Sequence, residues 1–145
     1  MFFSGRVVSG FGRGSKQLGY PTANLEKDAF KNLEEALVGV YYGFAQVEDE
    51  VPHPMVMSIG WNPYFNNKEK SLEVHILKSY KDDFYGAQMK IIVVGFIRDM
   101  TTFSNLDELI KAIENDIKIA KEELNKPHNF EYINHPFWTK SKALL

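Results

Sequence analysis

The hydrophobic pattern of this chain changes its period once, near residue 104. Before that point the apolar residues form short runs rich in Val, Ile and aromatic residues, separated by Gly, Pro and Asn, which is typical of strands and turns. After it, apolar residues recur every three or four positions, which predicts one amphipathic helix. These residues are Leu106, Leu109, Ile110, Ile113, Ile117, Ala120 and Leu124. A block of strands followed by a single helix indicates an α+β fold.

Five strands are predicted from alternation and from β-branched and aromatic residues: Met1–Val8, Leu37–Val47, Pro54–Gly60, Ser71–Leu77 and Gln88–Ile97. In the second of them, Gly39 and Gly43 suggest close backbone approaches or bulges. Segment 26–36 is open between a short helix and an ordered loop. Because the strands lack intervening helices, an antiparallel sheet or a closed barrel is favoured over a parallel sheet.

We therefore expect a mainly β, α+β single domain over residues 1–145. Five or six antiparallel strands would close into a barrel at about residues 1–100, with a long helix at about 104–125 packed across one opening. Ser104 is expected to cap this helix and Pro127 to end it. The aromatic residues of the tail at 127–145 predict that it packs against the rest of the chain.

The composition argues against several functional classes. A chain of 145 residues fits one domain, and the absence of cysteine leaves no disulfide framework and no thiol chemistry. The net charge of −2 gives no field that attracts nucleic acid or anionic lipid. No apolar run is long enough to span a bilayer, and the first residues lack a signal-peptide pattern. We expect a soluble, cytoplasmic monomer that binds neither nucleic acid nor membranes.

Three glycines alternate in a loop that ends in a basic residue: Gly10, Gly12 and Gly14, followed by Lys16. Such glycines let successive backbone N–H groups face one concavity that holds phosphate oxygens, and Arg13 and Lys16 add positive charge. The spacing matches neither a P-loop nor a dinucleotide-binding fingerprint. Taken alone, the loop fits a flexible hairpin turn equally well.

The residues after this loop suggest a metal site. Pro21 favours an extended chain, in which Thr22 and Asn24 point to the same side. A hydroxyl and an amide oxygen are hard, neutral ligands that suit Mg²⁺. A turn with ordinary polar side chains is the alternative.

The strand Ser71–Leu77 alternates, so Leu72, Val74 and Ile76 share one face and the polar pair Glu73 and His75 the other. Glu73 either points to solvent or, in a closed barrel, lines the interior or its mouth, where it could accept a proton from a substrate hydroxyl. For His75 we favour a hydrogen-bonding or nucleotide-contacting role over a metal ligand, since no second His lies nearby. The helix carboxylates are interpreted as its solvated face: Asp107, Glu108, Glu114, Asp116, Glu122 and Glu123.

Together these segments resemble the riboflavin kinase family over nearly the whole chain. The runs that carry the resemblance are GRVVSGFGRGSKQLGYPTANL, GVYYGFAQV, MSIGWNPYF, SLEVHIL, DDFYGAQMKIIVVGFIRDM and LDELIKAIENDIKIA. The resemblance implies a closed Greek-key β-barrel and a kinase of the monofunctional, eukaryotic-like type. It also implies that the chain moves phosphate from ATP, its co-substrate, to the ribityl 5′-hydroxyl of riboflavin and stops at FMN.

The resemblance further implies a role for each candidate residue. Thr22 and Asn24 would hold Mg²⁺, or another divalent cation such as Zn²⁺ or Mn²⁺, and Glu73 would be the catalytic base. The candidates for ATP binding are Gly10, Gly12, Arg13, Gly14, Ser15, Lys16, Pro21 and His75. The candidates for riboflavin binding are Arg98 and Phe103, in a second flap closing over the flavin, with Phe84 and Tyr85. Family members often carry Arg-Pro-Glu where this chain has Arg98-Asp99-Met100, which alters the expected stiffness of that flap.

Two other functions are compatible with a small barrel. A non-catalytic flavin- or FMN-binding barrel would use the glycine loop only to grip a phosphate, and would not need the Thr22 and Asn24 pair. An oligonucleotide-binding barrel would need a basic, aromatic groove, which the net charge of −2 does not support.

Overall fold

The computed structural model describes residues 2–8, 22–26, 37–61, 70–78 and 86–138. These contain six strands, one α-helix and one short 3₁₀ helix. The strands are β1 (Phe2–Val8), β2 (Thr22–Leu25), β3 (Gly39–Val47), β4 (His53–Trp61), β5 (Lys70–Ile76) and β6 (Gln88–Arg98). The α-helix, α1, is Leu106–Leu124, and the 3₁₀ helix is Pro127–Asn134. All five predicted strands are present with ends within two residues of the prediction, and the extended segment after Pro21 forms the sixth.

The six strands close into a barrel in the order β1-β2-β5-β4-β3-β6, and every neighbouring pair is antiparallel. The consecutive strands β3, β4 and β5 pair in sequence, and β6 returns to lie beside β3. This spatial order, 6-3-4-5, is a Greek key. The predicted closed antiparallel barrel is therefore confirmed. Within the described ranges, no helix has the length and apolar character that a membrane span requires.

Strand alternation divides the apolar residues of the barrel between two cores. One set fills the interior, where Met55, Met57, Ile59, Leu72 and Met89 are fully buried. The other set points outward from β3, β4 and β6 and meets the apolar stripe of α1. Together they form an outer core of Val40, Phe44, Val56 and Ile92 from the strands, Ile113, Ile117, Ala120 and Leu124 from α1, and Trp138 from the tail. The helix therefore covers the outer wall of the barrel, because the outward apolar residues need cover. The expectation that it would lie across an opening was wrong.

The pairing of β3 with β6 contains two register shifts, between Val40 and Tyr41 and between Tyr42 and Gly43. A Cβ added to Gly43 would overlap the carbonyl oxygen of Ile92. The bulges and the close backbone approach predicted for this strand are thus both present.

The N-cap of the helix lies one residue later than predicted. Asn105 is the N-cap, and its side chain accepts a hydrogen bond of 2.9 Å from the backbone N–H of Glu108. Ser104, predicted as the cap, instead donates its hydroxyl to the Glu108 carboxylate at 2.8 Å. The described part of the tail, up to Trp138, packs as predicted: Trp138 is buried and donates its indole N–H to the Tyr132 carbonyl at 2.7 Å, and Phe137 stacks on Phe2 at 5.1 Å between ring centroids.

Candidate active site

A row of paired residues crosses the outer wall of the barrel. In the strand register Asn24 lies opposite Glu73, Glu73 opposite Ser58, Ser58 opposite Val40, and Val40 opposite Arg98. Directly paired residues of antiparallel strands project to the same face of a sheet. Five strands thus each contribute one residue to a continuous line, which we call the site row. It brings together Asn24, Glu73 and Arg98, which lie far apart in sequence.

Glu73 and His75 are held side by side on this wall. The Nε2 atom of His75 lies 3.1 Å from Oε1 of Glu73, and both side chains are mostly buried, at 11% exposure for His75 and 24% for Glu73. Because an ionised carboxylate only accepts hydrogen bonds, Nε2 is the donor. Oε2 of Glu73 makes no hydrogen bond to any described residue.

The predicted alternation of this strand is confirmed, because Leu72, Val74 and Ile76 lie in the barrel interior. Glu73 faces neither bulk solvent nor the interior. It lies on the outer wall because the interior is already filled by apolar side chains.

Two buried acceptor atoms near this pair lack partners. Among the described residues, nothing bonds Oδ1 of Asn24 or Nδ1 of His75, although both are buried. Buried polar atoms in folded proteins are almost always hydrogen-bonded, so unsatisfied acceptors indicate a place for a cation or a donor group. The amide oxygen of Asn24 has the chemistry of a hard-cation ligand. Thr22 stands two residues earlier in β2, opposite His75 in register.

A cavity of about 250 Å³ lies between the outer wall and helix α1. Its polar lining residues are Ser58, Glu73, His75, Arg98 and Asp116, and its apolar ones are Val40, Val56, Met100, Phe103, Leu109 and Ile113. Ligand pockets usually enclose roughly 300 to 1,000 Å³. A ligand with the size of a flavin must therefore extend beyond this cavity or widen it.

Arg98 and Asp116 form a bidentate ion pair between the end of β6 and the middle of α1. Nε of Arg98 donates to Oδ1 of Asp116 and Nη2 donates to Oδ2, each at 2.8 Å. The Asp116 side chain is only 3% exposed. Its assignment to the solvated face of the helix was therefore wrong. Its position three residues after Ile113 and four before Ala120, on the apolar stripe, is the signal that could have revealed this.

The tyrosines of β3 do not compete with Glu73 as bases. Burial raises the pKa of Tyr42 above its ordinary value of 10.0, and the charge of Glu123 adds to this effect. Burial also raises the pKa of Tyr41, with a contribution from Asp99. Both phenols stay protonated near neutral pH. The other carboxylate that lines the cavity, Asp116, has both oxygens bonded to Arg98.

The structure brings together only some of the predicted site residues. Asn24, Glu73, His75, Arg98 and Phe103 lie on the outer wall or beside the cavity, and Thr22 joins them through strand pairing. The remaining candidates lie outside the described residues: Gly10, Gly12, Arg13, Gly14, Ser15, Lys16, Pro21, Phe84 and Tyr85. Ser58 and Asp116 were not predicted. Nothing in the sequence around Ser58 marks it, because it joins the site only through its register with Glu73.

Comparison with known proteins identifies several riboflavin kinases that are similar to this chain. The family model described as "Flavokinase: Riboflavin kinase" matches residues 1–124. A riboflavin kinase of Mus musculus is 46% identical over 145 residues, which cover 99% of this chain and 94% of that protein. A bifunctional riboflavin kinase/FMN phosphatase of Arabidopsis thaliana is 47% identical over 137 residues, covering 94% of this chain and 36% of that protein. The crystal structure of riboflavin kinase from Trypanosoma brucei matches with a TM-score of 0.74 at 35% identity, covering 92% of this chain and 85% of that one.

Proposed function

The chain belongs to the riboflavin kinase family, and on that premise we propose that it transfers the terminal phosphoryl group of ATP to the ribityl 5′-hydroxyl of riboflavin with Glu73 as the base. The products are FMN and ADP. The observation that carries this division of roles is the site row, in which Asn24 and Glu73 are paired beside the cavity. Family membership favours a kinase over the non-catalytic flavin-binding barrel and over the oligonucleotide-binding barrel.

Glu73 is suited to orient the nucleophile and to accept its proton. A general base must lie within hydrogen-bond reach of the proton that it removes. Oε2 of Glu73 has no described partner, while Oε1 is held by Nε2 of His75 at 3.1 Å. We assign to His75 the role of fixing this carboxylate, because phosphoryl transfer depends mainly on the positioning of the reacting groups and on charge stabilisation.

Asn24 and Thr22 are the residues that we propose to hold a divalent cation. The unsatisfied, buried Oδ1 of Asn24 supports this assignment, and Thr22 stands two residues earlier in the same strand. A hydroxyl and a neutral amide suit Mg²⁺, which keeps several waters and binds substrate phosphates. When bound, such a cation supplies positive charge that offsets the charge of the phosphate oxygens.

The glycine loop is proposed to bind the ATP phosphates through its backbone N–H groups, with Arg13 and Lys16 adding charge. It lies outside the described residues, so its sequence alone supports this role. Strand β2 begins six residues after Lys16, which would place the phosphates near Asn24.

The cavity is proposed to receive the flavin ring. Its apolar residues from the wall and from α1, among them Val40, Val56, Leu109 and Ile113, suit a flat, largely apolar ring system. Its polar residues Glu73 and Ser58 lie on the wall towards Asn24. The ribityl chain would therefore run along the site row, from the cavity towards the proposed cation and phosphates.

The test is a chromatographic assay of riboflavin and ATP with and without Mg²⁺, using the wild-type chain and Glu73→Gln. We expect Mg²⁺-dependent FMN formation by the wild type. The variant should lose most of its turnover, by roughly a hundredfold or more, while its fluorescence titration still shows riboflavin binding. Glu131→Gln, at an exposed position of the 3₁₀ helix, is the matched control and should match the wild type. Full turnover in Glu73→Gln would remove Glu73 as the base.

A further inference from the structure

The proposed chemistry makes no use of the ion pair between Arg98 and Asp116. The pair spans the cavity from the last residue of β6 to the middle of α1. It is nearly enclosed, with 26% of the Arg98 side chain and 3% of the Asp116 side chain exposed. Removing one partner of such a pair leaves an uncompensated buried charge. The pair therefore fixes the spacing between the barrel wall and the helix.

Arg98 is not a free cation in this arrangement. Two of its nitrogens bond the two Asp116 oxygens, and a third, Nη1, lies 3.3 Å from the backbone carbonyl of Asp99. Planar, bidentate pairs of this kind are both strong and geometrically specific. The charge of the guanidinium is thus matched by a carboxylate before any phosphate binds, which argues against Arg98 as a phosphate ligand.

The guanidinium also contacts the ring of Phe103. Its Cζ atom lies 5.7 Å from the ring centroid, within the range of a cation–π contact. Phe103 belongs to the segment 99–105 that joins β6 to α1, and its side chain lines the cavity with Met100. Asp116, Arg98 and Phe103 are consequently connected in series, from the helix to the cavity.

We infer that Asp116 is a positioning residue for flavin binding, acting through Arg98 on Phe103. This inference rests on the proposed function, since it takes the cavity to be the flavin site. Asp116 holds the guanidinium in one orientation, and the guanidinium in turn holds the Phe103 ring against the cavity. The inference places Arg98 and Asp116 at the ring end of the substrate and leaves the phosphates to the other end of the site row.

The first test compares Asp116→Asn with the wild-type full chain. The substitution replaces one acceptor oxygen with an NH₂ donor, so the two-oxygen pairing with Nε and Nη2 of Arg98 is lost, and with it the fixed orientation of the guanidinium. We expect riboflavin to bind roughly tenfold more weakly, measured by flavin fluorescence without ATP, while the KM for ATP changes less than about twofold. Glu114→Gln, exposed on the same helix, is the control and should bind as the wild type does. An unchanged riboflavin affinity, or a rise confined to the KM for ATP, would overturn the inference.

Two further variants separate positioning from mere folding. The double variant Arg98→Met/Asp116→Leu replaces the pair with apolar residues and should keep the wild-type Tm, yet bind riboflavin as weakly as Asp116→Asn. Recovery of both Tm and affinity would show that the pair is only a spacer, and would overturn the inference.

Phe103→Leu should weaken binding in the wild type but add little in the Asp116→Asn background. Additive losses would contradict action through Phe103. A wild-type chain that makes no FMN would instead refute the proposed function itself.

Discussion

At the scale of single residues, Asn24 has a buried amide oxygen that lacks a hydrogen-bond partner among the described residues. Its side chain is buried on the outer wall, its strand neighbour is Glu73, and its amide oxygen has no partner among the described residues. Leaving such an atom desolvated costs about 1 to 3 kcal/mol. The cation that we propose for this site would remove that cost.

The first prediction changes the charge of this ligand. Asn24→Asp keeps the oxygen but adds a negative charge, so we expect the metal preference of the kinase to change. FMN formation measured over matched concentrations of Mg²⁺, Mn²⁺ and Zn²⁺ will show the new order. Asn134→Asp, at the exposed end of the 3₁₀ helix, is the control. An unchanged metal profile would speak against any contact between Asn24 and the cation.

The second prediction concerns the hydrogen bond from His75 to Glu73. His75→Leu removes the donor that holds Oε1, and we expect kcat to fall roughly tenfold because a bond to a charged group contributes about 1.5 to 3 kcal/mol. His75→Gln keeps an N–H donor and should recover part of the loss.

The two His75 variants should change the KM for riboflavin less than they change kcat, because their main effect is to misplace the base, although His75 also lines the cavity. In the Glu73→Gln background, His75→Leu should lower kcat little further, because the hydrogen-bond partner of His75 is already altered. Equal losses in both backgrounds would show that His75 acts independently of Glu73.

At the scale of elements, the register of the strands decides which residues meet. The site row exists because four strand pairings join its five residues across β2, β5, β4, β3 and β6. A shift of one residue in any strand would turn its site residue into the filled interior. The two register shifts between β3 and β6 lie beside Val40, and they bring Arg98 opposite Val40.

The third prediction tests the tightest contact of this pairing. Gly43→Ala would place a Cβ against the Ile92 carbonyl, so β3 and β6 must separate, and we expect unfolding in urea to lose about 2 kcal/mol or more. Gly60→Ala is the control, because its Cβ would meet only the Met100 side chain, at 3.6 Å. That variant should lie within about 0.5 kcal/mol of the wild type. Equal stability of the two variants would contradict the assigned register.

Strand alternation was readable from the sequence, but the use of each face was not. The period of two placed Glu73 and His75 on one face because the backbone imposes it. Whether that face lies inside or outside the barrel depends on how the other strands fill the interior with Met and Ile. That is a property of the assembled barrel, and no single strand shows it. Asp116 was misread for a related reason: a carboxylate on an apolar stripe makes sense only when Arg98 is seen opposite it, and the pairing is not local in sequence.

At the scale of the whole molecule, the described residues form two apolar cores with different structural roles. The interior core closes the barrel with buried apolar side chains. The outer core attaches α1 to β3, β4 and β6, and the cavity lies within this attachment. A substrate that binds there contacts both the barrel wall and α1, so its binding must also stabilise the packing of the helix on the wall.

The last prediction follows from this coupling. At about a hundredfold excess over its Kd, riboflavin should stabilise the fold by roughly 2.7 kcal/mol, which corresponds to a rise in Tm of about 5 to 10 °C for a chain of this size. Hydrogen exchange should slow most in the segment 99–105 and in α1, which line the cavity, and least in β1, which lies on the other side of the barrel order. ATP alone should not protect α1, because its phosphates are assigned to the Asn24 end of the site row. Protection confined to β1 and β2 would move the flavin away from the cavity, and equal protection of α1 by ATP would break the division of the site into a ring end and a phosphate end.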